Sequence, residues 1–103
     1  MLSRLEAEID LLKRHLEILK LVIEKQPIGI IKLSEITGLP QHKVRYSLRI
    51  LEQGNLIAPS TQGAICKSIP KEFFVKLSKR IEEISEDISN LNELINRIDT
   101  SKL

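Results

Sequence analysis

Between Pro40 and Gly54 the chain carries Gln41, His42, Lys43, Arg45, Tyr46, Arg49 and Gln53, side chains of the kinds that grip or read nucleic acid. Arginine donates a bidentate pair to guanine O6 and N7, and glutamine or histidine bonds base edges. Tyrosine packs on a thymine methyl or bonds phosphate, and lysine neutralises phosphate without reading sequence. Val44, Leu48 and Leu51, spaced four and three, are the inward side of a helix running from Pro40 to about Gln53. At 100° per residue the opposite face holds His42, Tyr46, Arg49 and Gln53, flanked by Lys43 and Arg45. The first turns of such a helix enter a groove deepest, which makes Gln41, His42, Arg45 and Tyr46 the base-edge candidates. Lysine and arginine decorate any solvated helix; a tyrosine among them, directly after a turn, is what favours DNA.

A second group of polar residues, Ser60, Thr61 and Gln62, falls in a Pro- and Gly-bounded loop between Leu56-Ile57-Ala58 and Ala64-Ile65-Cys66. Two short strands around Pro59 to Gly63 read as a hairpin. Its tip has no Arg or Lys, so contact with DNA backbone is the most it offers, and a plain hairpin covering the core is an equal reading. Catalytic and metal chemistry find little support. The only histidines, His15 and His42, lie far apart and without a cysteine or carboxylate cluster at ligand spacing. Gly29, Gly38, Gly54 and Gly63 are isolated at structural breaks and form no phosphate loop. The reading is of a non-enzyme with no cofactor, no metal and no identifiable small-molecule ligand. Cys66 reads as a small strand hydrophobe, and Glu82, Glu83, Glu86 and Asp87 as a solvated helix face.

The elements that must position these residues are mostly helical. Leu2 to about Lys25 contains no Gly or Pro, and Pro27 and Gly29 stop it. Ile28, Ile30 and Ile31 suit a short strand. Leu33 to Thr37 reads as a short helix with Leu33 and Ile36 inward. Gly38-Leu39-Pro40 is the turn, with Gly38 in the left-handed cap conformation and Pro40 at the first position of the next helix. Ser68 and Pro70 open a last helix that runs to about Asp99. The segments Pro27-Ile28-Gly29-Ile30-Ile31-Lys32-Leu33-Ser34-Glu35 and Leu39-Pro40-Gln41-His42-Lys43-Val44-Arg45-Tyr46-Ser47-Leu48-Arg49, closed by Leu51-Glu52 and Gly63-Ala64, resemble a family of small archaeal winged-helix proteins described as predicted transcriptional regulators. The resemblance spans residues 15–67. It implies a recognition helix in the major groove and a wing that touches backbone or minor groove.

Both ends carry a seam. Leu2, Leu5, Ile9, Leu12, Leu16, Leu19 and Ile23 step by three and four in alternation, as do Phe74, Leu77, Ile81, Ile84, Ile88, Leu91, Ile95 and Ile98. An average step of about 3.5 residues is the coiled-coil period. Leu11, Ile18 and Val22 form a second line on the first helix, suited to packing on the middle of the chain. Isoleucine at both kinds of seam position in the last helix favours three or four helices around one core. The expected architecture is therefore mainly α: a dimerisation helix over 1–26, a winged helix-turn-helix over 27–69 and a coiled-coil helix over 70–103, paired in a dimeric four-helix bundle. An intramolecular hairpin of the two long helices is the competing arrangement, but it leaves apolar faces wet.

Charge follows this division. Residues 27–69 hold five basic and two acidic side chains, whereas residues 1–26 are balanced five to five and residues 70–103 hold six basic and seven acidic. Positive charge thus collects where phosphate would be met. A single cysteine, the lack of an apolar leader in residues 1–15 and the lack of a bilayer-length apolar run suggest a cytoplasmic protein away from membranes. The functional expectation is a homodimeric regulator that binds double-stranded DNA. The alternatives are a winged-helix protein-interaction module of the transcription machinery, or a sequence-independent, chromatin-type binder.

Overall fold

The computed structural model describes residues 1–103 and is mainly helical, with one small antiparallel sheet. The order is α1 (Ser3–Lys25), α2 (Ile30–Thr37), α3 (Gln41–Gln53), β1 (Ile57–Ser60), β2 (Gly63–Cys66) and α4 (Lys71–Asn96), followed by a 3-10 turn at Thr100–Lys102. The chain divides into two compact units, Met1–Ile69 and Pro70–Leu103. No helix is long and apolar enough to cross a membrane.

In the first unit α1 runs without interruption until Gln26, which adopts an extended conformation (φ −55°, ψ 145°) ahead of Pro27. The residue before a proline is driven out of the helical region by the pyrrolidine ring, so the helix stops there. Gln26 then ties the end of α1 to the hairpin: its side-chain oxygen accepts the Cys66 N–H at 2.7 Å.

The strand expected over Ile28, Ile30 and Ile31 is reduced to a single bridge. Ile28 N–H donates to the Ala64 carbonyl at 3.1 Å, and Ala64 N–H returns the bond at 2.8 Å. Ile30 and Ile31 instead begin α2, capped by extended Gly29, whose carbonyl accepts the Leu33 N–H. Starting the helix at Ile30 sets its phase. Ile30, Leu33 and Thr37 face inward, and Ile36, expected inside, stands 42% exposed at the edge of that face.

The turn into α3 is built as the sequence suggests. Gly38 is left-handed (φ 73°) and its N–H closes on the Ser34 carbonyl. Thr37 Oγ1 donates to the Leu33 carbonyl at 2.7 Å and accepts the Leu39 N–H at 3.2 Å, while Ser34 Oγ donates to the Leu39 carbonyl. Pro40 stands one place earlier than expected, as the cap, with Lys43 and Val44 N–H groups converging on its carbonyl. At the far end Asn55, not Gly54, takes the left-handed conformation (φ 61°). The Leu56 N–H reaches back to the Leu51 carbonyl and the Asn55 N–H to that of Glu52, a Schellman closure.

The hairpin is tighter than expected. The strands extend to Ser60 and Gly63, leaving Thr61 and Gln62 as a two-residue turn in place of a five-residue loop. Pro59, opposite Ala64, is tolerated because Ala64 directs its N–H and carbonyl away from β1, toward Ile28. That third segment sets a limit at Gly63. A Cβ there would lie 2.5 Å from the Ile28 carbonyl carbon, and the backbone has φ 125°.

The core is aliphatic: Ile18, Leu19 and Val22 of α1, Ile28, Leu33 of α2, Val44, Leu48 and Leu51 of α3, Ile57 of β1 and Ala64 of β2. Of the second apolar line of α1, Ile18 and Val22 enter this core as expected, whereas Leu11 is half-buried and outside it. Leu19, expected on the dimerisation seam, enters it too and is 2% exposed, because the helix buries the whole side spanning residues 18, 19 and 22. Leu16 is half-buried, while Leu2, Leu5, Ile9 and Leu12 stand exposed.

The second unit is one long helix. None of its residues is buried, and Ile81, Ile84, Ile88, Leu91, Ile95 and Ile98 are all exposed. The helix ends at Asn96, short of the expected Asp99. The Asp99 carboxylate accepts the Ser101 N–H at 3.0 Å and the Ser101 hydroxyl, a local turn that competes with helix continuation. Those bonds hold the Asp99 carboxyl below the usual carboxylate range.

Candidate nucleic-acid interface

Burial of Val44, Ser47, Leu48 and Leu51 fixes the rotation of α3 about its axis. Gln41, His42, Lys43, Arg45, Tyr46, Arg49 and Gln53 are consequently all exposed. They do not form one patch. His42, Lys43, Arg45, Tyr46 and Arg49 line an open depression of about 490 Å³ together with Arg14 of α1. Gln41 turns the other way and, with Arg45, borders a depression of about 640 Å³ against Gly29, Ile30, Ile31, Lys32 and Glu35. Gln53, at the last turn of α3, lines neither.

The first depression is electropositive. Its four permanent cations, Arg14, Lys43, Arg45 and Arg49, have no carboxylate within 4.0 Å; the ion pairs of the molecule are Lys20–Glu24, Lys32–Glu35, Arg80–Glu83 and Arg97–Glu93. Unpaired guanidinium and ammonium groups gathered on one surface create a potential that attracts phosphate. The second depression is larger, but its Lys32 is partnered by Glu35 at 4.0 Å and exposed Ile31 stands beside them.

A small polar junction holds the first depression in shape. Ser47 is fully buried between α3 and α1, and its Oγ accepts from Arg14 Nε at 3.2 Å. The same oxygen lies 2.8 Å from His15 Nδ1. Arginine can only donate, so the serine hydroxyl proton is free to point at His15, which accepts it as a neutral ring. Burial lowers the His15 pKa, and the neighbouring Arg14 charge lowers it further, in keeping with that neutral form. The His15 ring also packs against Tyr46, with centroids 5.9 Å apart and planes tilted by 44°.

Sequence reasoning missed Arg14, His15 and Ser47 as parts of this surface. The signal was present. Stepping along the second apolar line of α1 from Leu11 by three or four residues lands on Arg14 or His15 before reaching Ile18. On α3, Ser47 sits between the inward positions Val44 and Leu48 and Leu51. Two polar interruptions of two inward lines mark helices that meet through a hydrogen bond.

The hairpin tip is separate from both depressions. Ser60, expected to contact phosphate, has its hydroxyl committed to the Gly63 carbonyl and also accepts the Gln62 N–H at 3.2 Å, so it shapes the turn. Thr61 and Gln62 remain exposed with free side chains. Cys66 is half-buried, with its thiol directed at the Lys67 carbonyl. No three His, Cys, Asp or Glu side chains converge at metal-ligand distances. No protein-family model and no curated protein matches this chain.

Proposed function

We propose that this protein is a winged helix-turn-helix regulator that binds double-stranded DNA as a homodimer. The observation that carries the reading is the group of four unpaired cations around Tyr46 and His42 on the outward surface of α3. The arrangement of α2, a short glycine turn, α3 and a hairpin supplies the frame that lays a recognition helix in a major groove. Lys43, Arg45 and Arg49 bond phosphate, and Arg45 also reaches base edges with His42 and Tyr46. Thr61 and Gln62 extend the contact to backbone.

The dimer follows from apolar surface. Leu5, Ile9 and Leu12 on α1, with Leu2 just ahead of it, and the seam from Ile81 to Ile95 on α4 are exposed aliphatic lines at the coiled-coil period; Ile98, expected on that seam, lies beyond the end of the helix. A fully buried leucine or isoleucine is worth roughly 1.5–3 kcal/mol, so covering half of these positions gives a firm association. Two copies of α3 then meet half-sites about 34 Å apart, or a multiple of it, on a pseudo-palindromic duplex.

The test is fluorescence anisotropy of a labelled random-sequence duplex, titrated with protein at several salt concentrations, followed by selection from a random pool. The expected results are tight binding at low salt, steep weakening as salt rises, and loss of binding in R45A/R49A with the oligomeric state unchanged. No binding even at low salt defeats the proposal.

A further inference from the structure

The geometry points to Arg14 of α1 as a phosphate-binding residue of the same interface, held in place by Ser47; this rests on the DNA-binding reading above. Arg14 lies outside the helix-turn-helix, yet it lines the depression formed by His42, Lys43, Arg45, Tyr46 and Arg49. Its guanidinium is not free to wander. Nε donates to the oxygen of a side chain that is 0% exposed, and that oxygen belongs to α3 itself. A guanidinium has five donors in one plane. With Nε engaged inward, the two terminal nitrogens are left for an incoming ligand, and no carboxylate of the chain competes for them. The fork suits a phosphate oxygen pair.

The tether also explains why an arginine, rather than a lysine, fits this position. A lysine has a single terminal nitrogen and cannot bond Ser47 through one atom while presenting a planar fork through others. His15 completes the arrangement by accepting the Ser47 hydroxyl proton, which leaves the serine lone pairs to Arg14. Arg14 is thus a ligand, and Ser47 and His15 are positioning residues. Their order of effect is fixed by chemistry: removing the ligand removes a charge contact, whereas removing Ser47 only loosens it.

The experiment compares wild type, R14A, R14K, S47A and K20A in anisotropy titrations on the random duplex over a range of salt, with folding checked by circular dichroism. Each phosphate contact contributes about 0.9 to the slope of log K against log salt, equivalent to about an eightfold affinity change near 0.1 M salt. R14A is expected to lower the slope by about that amount and weaken binding about eightfold. R14K should keep the wild-type slope with reduced affinity, and S47A should do the same. K20A, which removes an α1 cation outside the depression, should match wild type. If R14A retains the wild-type slope and affinity while R45A/R49A loses binding, Arg14 is overturned as a ligand and the DNA reading stands. If R14K and S47A both bind as tightly as wild type, the bond to Ser47 does not position the guanidinium and that part of the proposal fails. Should wild type not bind at all, both readings fall together.

Discussion

Replacing Gly63 by alanine is the sharpest test of how the hairpin is held. The added methyl carbon would sit 2.5 Å from the Ile28 carbonyl carbon, 2.7 Å from its oxygen and 2.8 Å from the Gly29 nitrogen. All three are backbone atoms, so no side-chain rotation relieves the overlap. The backbone at Gly63 also has φ 125°, where a non-glycine residue is strained by about 1–3 kcal/mol. Overpacking adds about 1–3 kcal/mol. Escape requires moving Ile28 away, which breaks its two hydrogen bonds to Ala64 and exposes a side chain now 4% exposed. A loss of about 3 kcal/mol or more is expected, against a total of roughly 3–10 kcal/mol for a unit of this size. The companions set the scale. Gly38 has open space but φ 73°, so G38A should lose about 1–2 kcal/mol; Gly29 has open space and ordinary φ, so G29A should be close to neutral. Urea unfolding followed by circular dichroism, at one protein concentration, gives all three values. A G63A variant within about 1 kcal/mol of wild type would refute the packing argument.

Three further outcomes are expected. Ser47→Val should destabilise by about 1–3 kcal/mol, since Arg14 Nε and His15 Nδ1 lose their buried partner, and denaturant midpoints measure it. His15 should titrate below its ordinary value of 6.5 in the folded protein, because burial and Arg14 disfavour its charged form. The unfolded chain then binds more protons in that window, so this contribution to stability is complete above about pH 6.5 and declines as pH falls toward the folded pKa. Proton NMR of the two histidine rings reads the midpoint directly, and a His15 midpoint at or above 6.5 contradicts the junction. Finally, L5E/I9E and I84E/I88E should each shift the mass found by light scattering from two copies toward one; a wild-type protein that is a stable single copy at micromolar concentration overturns the dimer.

The reading of α3 from sequence succeeded because its code is local. Val44, Leu48 and Leu51 keep helical spacing, Gly38 and Pro40 punctuate the start, and Asn55 follows the end. Failures came where two local codes overlap. Ile28 to Ile31 is β-branched and short, and only the long-range partner Ala64 decides that one residue pairs while the next two wind into α2. On α1, Ile18, Leu19 and Val22 belong to two apolar lines that share a side of the helix. Periodicity alone does not say which line a leucine serves, and Leu19, which fits the seam by spacing, belongs to the protomer's own core. Ser47 escaped because a small polar residue reads as surface, although its partners Arg14 and His15 lie 33 and 32 positions away.

The division of labour along α1 gives the proposed assembly its geometry. Three of its exposed apolar residues, Leu5, Ile9 and Leu12, occupy the first half of the helix, and Ile23 is exposed in the last turn; Ile18, Leu19 and Val22 anchor the second half in the core; Arg14 and His15 lie between and bond α3. Twenty-three residues at 1.5 Å each make a rod of about 34 Å with no glycine or proline in it. A rod carries orientation from end to end. Two copies joined along its first half would therefore hold their α3 helices at a fixed separation and tilt, without any contact between the helix-turn-helix elements themselves. The spacing of two half-sites is then a property of α1. Breaking the rod ahead of Arg14, for instance with K13P, should leave the seam residues and each α3 in place yet abolish preference for one spacing over another. If a fixed half-site spacing survives that break, α1 is not the element that sets it.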